Sequence, residues 1–171
     1  MQPHRLVLIR HATAADGPVD RERPLSGSGM RQARAIGSWL ERAGIAPDRV
    51  LVSPARRAAQ TWEQASAQLP AGPQPITDQR IHDNTVEKLL AALRESPEDA
   101  QTVAVVGHNP SIGTLAAALD DGRGRQSARR ALERGFPTGC VAVFSLPGPF
   151  AALAPGAATL SELTVPGDDI P

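Results

Sequence analysis

A chain of 171 residues with 41% hydrophobic content can bury a core of its own, without disulfides or metal as staples. Its 18 basic and 18 acidic residues cancel, which argues against nucleic acid as a partner, and no apolar run approaches the roughly 20 residues of a membrane span. Cys140 is the single cysteine, so an internal disulfide and a cysteine zinc site are excluded; Leu6 to Ile9 is too short for a signal-peptide core, and a soluble, reduced, cytoplasmic protein is expected.

Arg5 to Ile9 is a short apolar run that reads as a buried strand. A polar loop with Gly17, Pro18 and Pro24 follows. Ser26 is placed to cap a helix carrying Met30, Ala33, Gly37 and Leu40 at helical spacing, ending near Ala43 with Gly44 as the stop. Arg49 to Val52 is the second strand. Ser53-Pro54 then resembles an N-cap followed by proline in the first helical position, ahead of a face of Ala55, Ala58, Trp62, Ala65 and Leu69. After a turn at 70–75, Pro75 to Thr77 suits a short strand, and Val86, Leu89, Leu90 and Leu93 form a third helical stripe. Thr102 to Val106 is another buried strand. Asn109-Pro110 repeats the cap-then-proline pattern before Ile112, Leu115, Ala116 and Leu119. Residues 120–135 read as irregular, with Arg123, Arg125, Arg129, Arg130 and Arg134 among small polar residues. Cys140 to Leu146 is a strand that Thr159 to Val165 can pair with, and 166–171 is a loose tail.

Strands alternating with helices imply one α/β domain over residues 1–171, a three-layer α/β/α sandwich on a mainly parallel sheet. Three strands end alike: Arg10-His11 after the first, Ser53-Pro-Ala-Arg-Arg-Ala-Ala-Gln-Thr61 after the second, and Gly107-His-Asn-Pro110 after the later one. Ligands bind at the carboxyl ends of strands in such sheets, so Arg10, His11, Arg56 or Arg57, and His108 can converge on one pocket. Two arginines, two histidines and two helix N-termini favour a dianion such as phosphate. They lack the further ligands a metal site needs, so neither a metal nor another cofactor is expected.

These three motifs, in this order, resemble those of the histidine phosphatase superfamily, whose fold is phosphoglycerate-mutase-like. The family triplet is Arg-His-Gly, and Ala12 stands here in place of the glycine. The pattern S-P-x-x-R-A-x-Q-T assigns the functional arginine to Arg57 and leaves Arg56 at the rim. The short length, Arg23-Pro-Leu-Ser-Gly-Ser-Gly29 and Phe136-Pro-Thr138 resemble the SixA-type phosphohistidine phosphatases. The resemblance implies that His11 attacks phosphorus as a neutral imidazole, its other nitrogen donating to a backbone carbonyl. Arg10, Arg57 and His108 would hold the equatorial oxygens, His108 as the cation. Asn109 and the loop residue Arg23 join the phosphate-binding set, and a phosphate or sulfate ion is an expected occupant. For the family's general acid, Asp83 and Glu87 lie in about the right region, and Asp16 and Asp20 follow the first motif.

The weak acid signal favours a phosphohistidine on a protein, because an imidazole leaves more readily than an alkoxide. A small-molecule phosphomonoesterase of the same superfamily and a non-catalytic phosphate-binding module are the alternatives. A mutase is disfavoured, since the length leaves little room for a cap over a small substrate. His4 and His82 have no motif around them and read as structural or solvent-facing. Cys140 reads as a small buried apolar residue. The 123–134 arginines read as a solvated, partly helical excursion, with a basic docking rim as the second reading.

Overall fold

The computed structural model describes residues 3–167. One six-stranded sheet holds β1 (His4–Arg10), β2 (Arg49–Val52), β3 (Ile76–Thr77), β4 (Thr102–Gly107), β5 (Val141–Leu146) and β6 (Thr159–Thr164), in the order β3-β2-β4-β1-β5-β6. β3, β2, β4 and β1 run parallel; β5 pairs antiparallel with β1, and β6 antiparallel with β5.

Side chains alternate across the sheet, so each strand feeds two cores. Leu6 and Leu8 of β1, Val103 and Val105 of β4, and Ala142 and Phe144 of β5 point to one face. There they meet Ile81 of α3 (Gln79–His82), Leu89 and Leu93 of α4 (Val86–Arg94), Ile112 and Leu115 of α5 (Ser111–Leu119), and Ala128 of α6 (Gln126–Glu133). Val7, Ile9, Val50, Val52, Ala104 and Val106 point the other way. They pack on Ile36 and Leu40 of α1 (Gly27–Arg42) and on Ala58, Trp62 and Ala65 of α2 (Arg56–Ser66). The result is the expected three-layer sandwich. The two outer helices of the second layer cross closely: a Cβ on Gly37 would lie 2.0 Å from the carbonyl oxygen of Ala65.

Several elements depart from the sequence reading. Ser26 does cap α1, accepting from the Gly29 amide. Ser53 does not cap α2. That helix starts at Arg56 with Ala55 as its uncapped N-cap, and the Ser53 hydroxyl faces a histidine instead. α5 begins one residue after Pro110, although the Asn109 carboxamide still accepts from the Gly113 amide. Residues 126–133, within the stretch read as an irregular, partly helical excursion, form a regular helix, α6, because Ala128 supplies an anchor that packs into the core. α3 carries too few residues for a periodic signal and went unanticipated. Pro166, placed in the loose tail, is buried; 168–171 lie outside the described residues. No helix among the described residues is long and apolar enough to cross a membrane.

Candidate active site

Strand register brings the three motifs level. Arg10 of β1 pairs with Gly107 of β4, and Val52 of β2 pairs with Val106, so His11, His108 and Ser53 follow adjacent strand ends. The backbone continues the ladder past the strands, with the His11 amide on the Gly107 carbonyl and the Ser53 amide on the Val106 carbonyl. A cleft of about 470 Å³ opens there, lined by Arg10, His11, Arg23, Arg57, His108 and Asn109 among others.

His11 is held from both sides. Its Nδ1–H donates to the Ala12 carbonyl at 2.7 Å, so Nε2 keeps its lone pair. The Ala12 amide donates to Thr61 Oγ1, which itself donates to the Arg57 carbonyl. The last residue of the SPARRAAQT run thus fixes the loop that carries His11. Gln60, beside it, accepts from the Leu25 amide and ties down the next loop. Burial, and then the charges of Arg57, Arg10 and Arg23, push the His11 pKa down to about 4 despite the Ala12 hydrogen bond. A neutral imidazole with a free lone pair therefore sits among guanidinium groups, an arrangement chemically suited to attack on a bound anion.

Ala12 needs no special backbone. Asn84 is the one non-glycine residue with positive φ among those described. The Ala12 methyl is fully buried against Leu25, Ala33 and Met30, so alanine fits the glycine position without strain. The backbone demand falls instead on Gly139 (φ +75), whose amide caps the Arg10 and His11 carbonyls. A Cβ there would lie 2.4 Å from the Gln32 side chain, which links Thr13 to Thr138 across the same wall.

Arg57 is buried on the cleft wall and forks onto Asp20, Nη1 to the carbonyl at 2.8 Å and Nη2 to the carboxylate at 3.2 Å. Arg23 holds the other carboxylate oxygen at 3.0 Å. These arginines keep the Asp20 carboxyl below the usual range, so it stays ionised. Asp20 thus occupies the arginine fork that a phosphate would use. Asp20→Asn is expected to tighten competitive inhibition by tungstate about threefold to tenfold, since a partly exposed ion pair no longer competes. Weaker inhibition in that variant would show that Asp20 supports the site instead. Arg10 donates to the Phe136 carbonyl at 3.0 Å and keeps a buried Nε without a protein partner among the described residues; burial lowers its pKa.

In this structure His108 is a neutral imidazole; the cation expected of it belongs to the phosphate-bound site. Nδ1 lies 3.5 Å from Arg57 Nη2, which can only donate, so the ring proton is on Nε2 and goes to Ser53 Oγ at 2.8 Å. Burial first, then His11 and Arg57, push its pKa down to about 3. A second proton would set an N–H against a guanidinium. Both imidazoles are neutral in this state, and their depressed values make folding pH-dependent. Unfolded imidazoles titrate near 6.5, so below that pH the unfolded chain binds protons that the folded chain refuses. Stability should fall on the order of 4 kcal/mol between pH 7.5 and pH 5, about 2 kcal/mol from each imidazole, read from urea midpoints, and the loss should be roughly halved in His108→Asn.

Other placements are mixed. Asn109 lines the cleft, but its carboxamide nitrogen holds the Phe136 carbonyl and its oxygen holds α5. The α5 N-terminus is likewise occupied, with the Ser111 amide on Asn84 Oδ1; the α2 N-terminus has no side-chain cap. Arg56 is exposed and off the wall. Asp83 and Glu87 are not on the wall either: Asp83 pairs with Lys88 at 2.9 Å and Gln79 at 3.1 Å, and Glu87 is exposed. The wall residue from that segment is His82, read from sequence as structural, with Asn84 beside it. Its ring is edge-on to His108 at 5.7 Å. No sequence signal beyond its place next to buried Ile81 marked it. His4 is structural, its Nδ1 on the Ala100 carbonyl and its ring against Phe150. Cys140 is buried, with its thiol pushed up to about 12, and is inert. In the arginine-rich segment Arg129 pairs with Asp120 and Arg125 with Glu162. Among the described residues no group of three His, Cys, Asp or Glu side chains could hold a metal ion.

Comparison with known proteins agrees with this geometry. Residues 6–84 match the model of the histidine phosphatase superfamily, branch 1. Phosphohistidine phosphatase SixA of Escherichia coli K12 is 32% identical over 123 residues, covering 69% of this chain and 75% of that protein. A SixA-named structure from Nakamurella multipartitia is 33% identical, covers 98% of both chains and superposes with a TM-score of 0.85. A protein histidine phosphatase SixA complexed with tungstate is 27% identical, covers 94% of this chain and 96% of that one, and gives 0.77. The chain belongs to the histidine phosphatase superfamily, on its SixA-type side, and is a phosphatase with a histidine nucleophile.

Proposed function

We propose that this phosphatase hydrolyses phosphohistidine on a protein, taking the phosphoryl group onto Nε2 of His11 and passing it to water. The observation that carries this reading is the make-up of the cleft wall. Its one carboxyl side chain, Asp20, is held ionised by Arg23 and Arg57 and cannot serve as an acid while it is so held. An alkoxide leaving group calls for a carboxylic acid, which the wall does not offer in protonated form, whereas an imidazole leaves with a weaker donor. The likeness to SixA phosphohistidine phosphatases supports the same substrate class. Tungstate in one of those structures supports an oxyanion site here.

Arg10 and Arg57 hold the equatorial oxygens, where charge spreads in the transition state. Phosphate displaces Asp20 from the Arg57 fork, while Arg23 lines the site and keeps its hold on the Asp20 carboxylate, which stays ionised. The arriving dianion offsets the Arg57 charge, so His108 takes up a proton on binding and donates from both nitrogens. The test is a comparison of kcat/KM for a phosphohistidine peptide with that for sugar phosphates. Higher values for the peptide are expected, and faster turnover of sugar phosphates would overturn the protein phosphohistidine assignment.

A further inference from the structure

The geometry points to His82 as the acid that protonates the leaving atom as phosphorus is transferred to His11. This rests on the phosphatase reading of the same cleft. His108 stands against both other imidazoles of the site, with ring centroids 5.2 Å from His11 and 5.7 Å from His82. His82 and the nucleophile thus line one cleft, each against His108. In-line displacement places the leaving atom on the side of phosphorus away from His11.

The other titratable groups on the wall cannot take this role. Arg10, Arg23 and Arg57 do not give up a proton. His11 is the nucleophile. Asp20 is held ionised by Arg23, and both N–H groups of a protonated His108 are committed, Nε2 to Ser53 and Nδ1 to the equatorial oxygens. His82 is left. Its Nδ1 has a contact to Gln79 Nε2 at 3.5 Å, long enough to yield readily when the ring takes a second proton. Gln79 also donates to Asp83 Oδ1 at 3.1 Å, so its carboxamide is held in place whichever way the His82 ring is protonated.

The step balances. His11 Nε2 gives its lone pair to phosphorus. The bond from phosphorus to the leaving nitrogen or oxygen breaks with its electron pair going to that atom, which takes the Nε2 proton of the His82 imidazolium. Water then attacks the phosphohistidine and gives a proton to the now neutral His82. The P–N pair returns to His11 as phosphate departs.

The experiment compares kcat/KM of wild type and His82→Gln for 4-nitrophenyl phosphate and phenyl phosphate, alongside a phosphohistidine peptide. Loss of a general acid falls hardest on the poorer leaving group. The phenyl ester should lose about 100-fold or more, and the 4-nitrophenyl ester less than about tenfold. The readout is a ratio within one preparation, so a reduced folded fraction cancels. Equal losses on both esters would overturn the role of His82 while the phosphatase reading stands. A wild-type enzyme that turns over the peptide but neither ester would overturn it too, because a donor at the leaving atom would serve an aryl oxygen. Wild-type turnover of none of the three would remove the phosphatase reading and this assignment together.

Discussion

His11→Asn is expected to lower kcat by about 10⁴-fold or more and to leave oxyanion binding nearly intact. The substitution removes the attacking lone pair at Nε2 while the anion-binding groups Arg10, Arg57 and Arg23 stay in place. It also removes the imidazole that donates to the Ala12 carbonyl, but Ala12 remains anchored through its amide to Thr61. The folded structure should therefore persist. Tungstate protection against thermal unfolding gives the binding half of the result. A variant that lost both turnover and tungstate protection would show that His11 builds the anion site rather than attacking within it.

Arg57→Lys is expected to lose about 10²- to 10³-fold in kcat/KM, close to the loss in Arg57→Ala. Charge is kept in the lysine variant, so charge alone is not the issue. Arg57 spans two acceptors of Asp20 with two nitrogens of one rigid plane, and the same fork suits two oxygens of a phosphoryl group. An ammonium is a point donor and cannot span them. The loss should appear in kcat as well as KM, because the charge on those oxygens spreads in the transition state. Near-wild-type activity in Arg57→Lys would mean that the residue contributes field rather than geometry.

Much of the site could be read from the chain because buried parallel strands leave an unambiguous trace. RLVLI, RVLV and TVAVV are continuous apolar runs, and whatever follows them emerges at one end of the sheet. That places Arg10, His11, Arg57 and His108 together. What sequence did not show depends on contacts between segments remote from one another. A serine before proline suits a cap; the Ser53 hydroxyl accepts from the Ala55 amide, ahead of the helix, and meets His108, which only strand register can reveal. The neutral state of His108 depends on its burial, on His11 and on an arginine of α2 3.5 Å away. His82 and Asp83 are neighbours at the end of a one-turn helix, and spacing gives no rule for which of them reaches the cleft. Burial of Ile81 under the sheet orients that turn, leaving His82 on the wall and Asp83 with Lys88.

The most direct test is to identify the residue that carries phosphorus during turnover. The wild-type chain is mixed with a 32P-labelled phosphohistidine peptide, stopped within milliseconds in alkaline detergent, digested and mapped. Label should sit on His11, survive alkali, be released by acid, and be missing from His11→Asn. Label on His108, His82 or Asp20, or turnover with no labelled protein at any time point, would contradict a covalent step at His11.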